Sequence, residues 1–92
     1  MKTVRTPNYT IVLDGDKRIK HDAIRVVRSV RPDIGRMYAD RRAYGMRYKT
    51  VARCDAHTVN WVNSIFHLNG IKAHAYLHQG RFMPHMVVEV SL

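Results

Sequence analysis

The stretch from Arg36 to Arg53 has the strongest chemical pattern in the chain. Arg36, Arg41, Arg42, Arg47, Lys49 and Arg53 interleave there with Tyr38, Tyr44 and Tyr48. A guanidinium grips phosphate with a planar fork, and a tyrosine ring offers a flat face on which an unpaired base stacks. Each such stack is worth about 1–3 kcal/mol on truncation. The chemistry implied is nucleic-acid binding, with RNA or single strands ahead of duplex DNA. Tyr44 and Tyr48 share a side with Met46 in an alternating segment, which assigns them to a core. Tyr38, in the less regular part, is the better stacking platform. For Arg47, Lys49 and Arg53 the plain alternative is a solvated strand face.

A second basic face belongs to Arg25 and Arg28, with His21 nearby, on a segment with helical spacing. A helix can lie along a groove and set such side chains on phosphates. The sequence leaves open whether this face is coplanar with Arg36–Arg53.

The histidines gather elsewhere. His74, Tyr76, His78, Met83 and His85 fall on the outer side of a predicted hairpin and form a partly apolar patch suited to protein contact. A two-residue Gln79-Gly80 loop sets His74 opposite His85, Tyr76 opposite Met83 and His78 opposite Arg81. Two or three imidazoles at such spacing can hold zinc. No Cys, Asp or Glu follows a ligand spacing around them, so neither a metal nor a cofactor is expected.

Catalysis has little support. There is no glycine-rich phosphate loop and no nucleophile motif, and the seven acidic residues form no evident acid–base pair. His21 with Asp22, or Asp55 with His57, are the only adjacent pairs suggestive of nuclease chemistry. Asp22 and Asp55 are also placed to cap helices. The single cysteine, Cys54, reads as a small apolar filler on a buried strand face.

The charge supports the binding reading. The 92 residues hold 16 Lys and Arg against 7 Asp and Glu, a formal net charge of +9. Such a field attracts polyanions. The excess lies wholly in residues 1–53; residues 54–92 balance Lys72 and Arg81 against Asp55 and Glu89 and carry five of the six histidines. Neither part has the length for a good core alone, so one compact domain over 1–92 is expected. No apolar run is long enough to span a bilayer, the first residues lack a signal-peptide core, and one cysteine fits a reducing, cytoplasmic setting.

The elements that must position these residues are short. Tyr9–Leu13 reads as a strand ending at Asp14-Gly15. Asp22 is placed to cap a helix over Ala23–Arg31, stopped by Pro32, although its β-branched residues leave a strand as the alternative. Asp33–Ala43 has room for a short strand and a turn, and Tyr44–Cys54 alternates as a half-buried strand. Asp55 caps a helix over Ala56–Asn69 that ends at Gly70, with Trp61 and Phe66 supplying much of the core. Ile71 onward is the hairpin. Its inner face is Ile71, Ala73, Ala75, Leu77, Phe82, Pro84, Met86 and Val88, and Pro84 marks Phe82–Val90 as an edge strand. The expected fold is α+β. Two helices pack on one face of a small, mostly antiparallel sheet, as βαββαββ (ferredoxin-like) or βαβαββ, ending in a C-terminal β-hairpin.

The leading expectation is a non-catalytic, basic nucleic-acid-binding protein. It contacts phosphate through Arg25, Arg28, Arg36, Arg41, Arg42, Arg47, Lys49 and Arg53 and stacks a base on Tyr38. In size and in its basic, motif-poor composition the chain resembles small phage or mobile-element accessory proteins, anti-CRISPR proteins among them. That resemblance implies an alternative: an inhibitor that docks on a host nucleoprotein complex and blocks its nucleic-acid site. A His-dependent nuclease is the second alternative.

Overall fold

The computed structural model describes residues 2–6, 10–15, 18–39 and 46–91. Over these described residues it is an α+β fold with two α-helices and two antiparallel sheets. Strands β1 (Lys2–Arg5) and β2 (Thr10–Leu13) pair with each other as a separate two-stranded sheet. Helix α1 (Ile19–Val30) follows, then a single 3₁₀ turn at Pro32–Ile34. Next come β3 (Met37–Ala39), β4 (Met46–Thr50), helix α2 (Ala56–Leu68), β5 (Ala73–Gln79) and β6 (Pro84–Val90). The larger sheet has the order β3-β4-β6-β5. The order of elements therefore differs from either predicted layout, because an N-terminal strand precedes the expected first one and the two form their own sheet. The basic and the neutral parts of the chain share the larger sheet, since β4 pairs with β6.

The segment around Val26 is a helix, and its apolar stripe explains why. Ala23, Val26, Val27 and Val30 repeat at three- and four-residue spacing and are all buried. Burial of that stripe outweighs the weak helix propensity of its β-branched residues. Asp22 does not cap the helix. It lies inside the first turn, 3% exposed, and its carboxylate accepts the backbone N–H groups of Asp14 (2.8 Å) and Gly15 (2.9 Å). The acid thus fixes the β2–α1 connection.

Helix α2 has the expected ends. The Asp55 carboxylate accepts the Thr58 N–H at 2.8 Å. That bond holds the Asp55 carboxyl below its ordinary range, since it favours the charged form. At the other end Gly70 has φ +64°, Ile71 N–H donates to Phe66 O (2.9 Å) and Gly70 N–H to His67 O (3.3 Å), a Schellman ending. Phe66 is fully buried as expected, but Trp61 is 44% exposed and Leu68 78% exposed. The stripe that reaches the sheet is Val59, Val62, Ile65 and Phe66, and Trp61 falls to its side.

Both helices cover the same face of the larger sheet. Their buried residues join Tyr48, Ala75, Met86, Val88 and Val90 in one core cluster. Cys54 is buried in it, as expected. Leu77 and Phe82 are corrections to the predicted inner face, at 39% and 89% exposed. The hairpin loop is Gly80–Met83, four residues rather than two. Proline explains the shift. A two-residue loop would put Pro84 well inside the ladder, where it cannot donate; the observed register makes it the first residue of β6, opposite Gln79. With that cost removed, β6 sits inside the sheet and not at its edge.

Candidate nucleic-acid interface

Alternation along β4 decides what the other sheet face carries. Tyr48 and Thr50 point to the core, so Arg47 and Lys49 point away and are exposed. The pairing then lines up one residue from each strand. Tyr38 on β3 is opposite Lys49 on β4, Lys49 is opposite Val87 on β6, and Val87 is opposite Tyr76 on β5. The row Tyr38–Lys49–Val87–Tyr76 therefore crosses the whole sheet on the open face, the one turned away from both described helices. At about 4.8 Å per strand, its two tyrosines stand some 14 Å apart. Tyr38 is 48% exposed. Val87 is buried yet lies outside the core cluster.

The neighbouring rows supply charge and imidazoles. Arg47, Glu89 and His74 form one row, with Arg47 Nε 2.6 Å from a Glu89 oxygen. The Tyr76 hydroxyl lies 3.4 Å from the same Glu89 carboxylate, and the Tyr76 ring stacks loosely on His74 at 6.5 Å. On the other side His78 opposes His85, with ring centroids 5.1 Å apart. Arg47, Lys49, Tyr76, His78, His85 and Val87 enclose a shallow hollow of about 170 Å³.

The structure thus brings together two groups of residues that the sequence kept apart. Tyr38, Arg47 and Lys49 share one face with His74, Tyr76, His78 and His85. It separates others. Arg25 sits in the helical layer, and its Nη1 bonds Asp14 Oδ2 (2.8 Å) and the Val12 carbonyl (3.0 Å). Arg28 is exposed on the same helix, away from the sheet's open face. Arg36 is exposed just before β3, and Arg53 is exposed in the turn before α2, where its carbonyl accepts Arg31 Nη1 at 3.2 Å. Arg31 also holds Asp33 with two bonds of 2.9 and 3.0 Å, which pulls the Asp33 carboxyl below its ordinary range. Met83 lies in the hairpin turn, outside the strands, and its carbonyl accepts the Gly80 N–H. Arg41 and Arg42 lie outside the described residues, as does Tyr44.

The carboxylates of the two candidate nuclease pairs are already engaged by backbone N–H groups, Asp22 at the β2–α1 connection and Asp55 at Thr58. His57 leans on Trp61, ring centroids 5.7 Å apart. Among the described residues no three or more His, Cys, Asp or Glu side chains gather into a metal-holding group. No helix among them is long and apolar enough to cross a membrane.

Alternation with Met86 and Val88 places Val87 on the outer side of the hairpin, and the structure keeps it there. Sequence reasoning missed the exposed Trp61, which gave no signal, since a tryptophan on a helix's apolar half normally packs inward. Compared with protein-family models, with curated proteins and with solved structures, the chain matches none.

Proposed function

We propose that the protein is a non-catalytic, cytoplasmic binder of single-stranded nucleic acid, RNA in preference to duplex DNA, and that the strand lies across the open sheet face. The observation that supports this is the row Tyr38–Lys49–Val87–Tyr76, a cation and an apolar spacer between two tyrosines on the face turned away from both described helices. Bases stack on Tyr38 and pack against Tyr76, while Lys49 and Arg47 meet phosphates. A duplex offers no free base faces to such a platform.

The test is fluorescence anisotropy with a labelled 12-nucleotide RNA against a DNA duplex of the same length. Lys49, with Arg47 partly offset by Glu89, neutralises between one and two phosphates, which gives a log K against log salt slope of about −1 for a single strand. Binding to the duplex alone, or a flat salt dependence, would overturn the reading.

A second reading has its own observation. Helix α2 holds no Lys, Arg, Asp or Glu, yet exposes Trp61 and Leu68. His57, Asn60, Trp61 and Ser64 border a hollow of about 310 Å³ there. A protein that docks on a nucleoprotein complex, and blocks it, would grip protein with this uncharged helix and touch RNA with the sheet. Recovery of one complex from cell lysate after nuclease treatment supports this reading. Recovery lost on nuclease treatment favours plain RNA binding.

A further inference from the structure

We propose that the hollow between His78 and His85 is a subsite for a backbone phosphate, and that its grip depends on proton uptake by these two imidazoles. The proposal rests on the open face being the nucleic-acid surface and adds a regulation to it.

His78 on β5 and His85 on β6 are direct register partners, with ring centroids 5.1 Å apart and planes tilted by 60°. Both line the hollow that Lys49 and Arg47 also border. The position of His85 is set by the turn. A Cβ at Gly80 would stand 2.9 Å from His85 Nδ1 and 2.8 Å from the Met83 carbonyl, so only glycine lets the turn and ring approach this closely.

The charges facing the pair come from each neighbouring strand. Strand β4 gives Lys49 and Arg47, β6 gives Glu89, and β5 gives His74 and the Tyr76 hydroxyl. Glu89 is committed to Arg47, leaving Lys49 as the cation nearest the imidazoles in the register. A neutral imidazole has one donor and one acceptor; a protonated one has two donors. Two protonated rings beside Lys49 repel one another until an anion sits between them. A phosphate oxygen in the hollow relieves that repulsion and accepts from both rings, so anion and protons enter together. Histidine is the side chain that ordinarily changes charge between pH 5 and 8.

The experiment is anisotropy with a labelled eight-nucleotide oligo-uridylate at fixed ionic strength, at pH 8.0 and pH 5.5. Wild-type affinity is expected to rise about tenfold or more on acidification, and its salt slope to steepen by about 0.7, the value for one further neutralised phosphate. The double variant His78→Gln/His85→Gln is expected to bind no more tightly than wild type at pH 8.0 and to gain less than about threefold between pH 8.0 and pH 5.5. His74→Gln, on the same face two register positions away, is expected to keep the full gain. Equal gains in wild type and double variant, or a loss shared by His74→Gln, would overturn the proposal. A titration with inorganic phosphate at pH 5.5, followed through the histidine ring proton resonances, reads the subsite without RNA. Selective shifts of His78 and His85 with no RNA binding at either pH would uphold the anion subsite and remove the nucleic-acid reading. RNA binding that is equal at both pH values would do the reverse.

Discussion

Arg47 and Glu89 meet across β4 and β6 at 2.6 Å in the middle of the open sheet face. Both are partly exposed, so the pair adds only about 0–1 kcal/mol to stability. Its larger effect is on the surface potential, because the one glutamate of the chain offsets an arginine on the face proposed to meet phosphate. Glu89→Gln is therefore expected to raise RNA affinity several-fold and to steepen the salt slope by about 0.7, one phosphate's worth. A salt titration of both proteins by anisotropy reads this. Weaker binding by the variant would show that the pair positions Arg47 for its contact instead of masking it.

The two described tyrosines of the Arg/Tyr-rich stretch should separate by readout. Tyr38 is 48% exposed on the open face, while Tyr48 is 7% exposed in the core with Lys20 Nζ 5.3 Å from its ring centre. Tyr38→Ala is expected to lose about 1–3 kcal/mol of RNA binding with little change in melting temperature. Tyr48→Ala is expected to lose about 3 kcal/mol or more of stability. Thermal melts and anisotropy on the same preparations distinguish them.

Alternation made part of this site legible from sequence. Residues 46–50 could be sorted into a core side and a solvent side because a strand has period two, and the structure keeps that sorting for Arg47, Tyr48, Lys49 and Thr50. The ends of α2 were legible for a similar reason: a cap is a local device of an Asp and a Gly at fixed distances. Strand order is not local. Nothing in the chain says that β6 lies between β4 and β5, and that fact alone brings His78 and His85 beside Lys49. The hairpin faces survived a four-residue change of register because an even shift preserves parity, whereas every predicted cross-strand partner moved. Asp22 was misread because the same short acid serves equally to cap a helix or to hold the loop in front of it.

That loop gives the next prediction. Arg25, expected on phosphate, instead bridges Asp14 and the Val12 carbonyl beside Asp22. Arg25→Ala is expected to leave RNA affinity within about twofold, since its layer lies across the sheet from the open face. Asp22→Ala strands two backbone N–H groups and should cost about 2–4 kcal/mol. Denaturant melts give the second value. A large loss of RNA binding in Arg25→Ala at unchanged stability would place the interface on the helices.

Acid should act through Asp55. Its carboxyl is held below the ordinary carboxylate range by the Thr58 N–H, with help from the Thr58 side chain. A depressed folded-state value means that the stabilisation is complete above the unfolded value, near 3.8, and is lost as pH falls through the lower folded one. Asp55→Asn keeps an N-capping oxygen but removes the titration. Between about pH 5 and 3 the wild-type melting temperature is expected to fall more steeply than that of the variant. Parallel curves would assign the acid sensitivity to other carboxyls, Asp33 with its Arg31 partner first.

Asn63 closes the edge of the sheet. Its side-chain amide donates to the Ala75 carbonyl and its carbonyl accepts the Ala75 N–H, both at 2.7 Å. One asparagine on α2 thus takes the place of a fifth strand at the centre of β5. Edge strands with free N–H and C=O groups template pairing with other chains, and this amide blunts that hazard. Asn63→Ala leaves both groups unpaired and is expected to cost about 2–3 kcal/mol and to promote self-association in sedimentation. Asn63→Asp is the sharper test. The introduced carboxylate still accepts from Ala75 N–H but sets its second oxygen against the Ala75 carbonyl. The protonated carboxyl can donate to that carbonyl, so folding favours proton uptake and the folded-state value rises above the unfolded one. Stability gained from that bond is present below the unfolded value and is lost as pH rises through the folded one. The variant is therefore expected to recover stability relative to wild type as pH falls from about 7 to 5. A deficit that stays constant over that range would show that the introduced carboxyl does not regain the donor bond to Ala75 by taking up a proton.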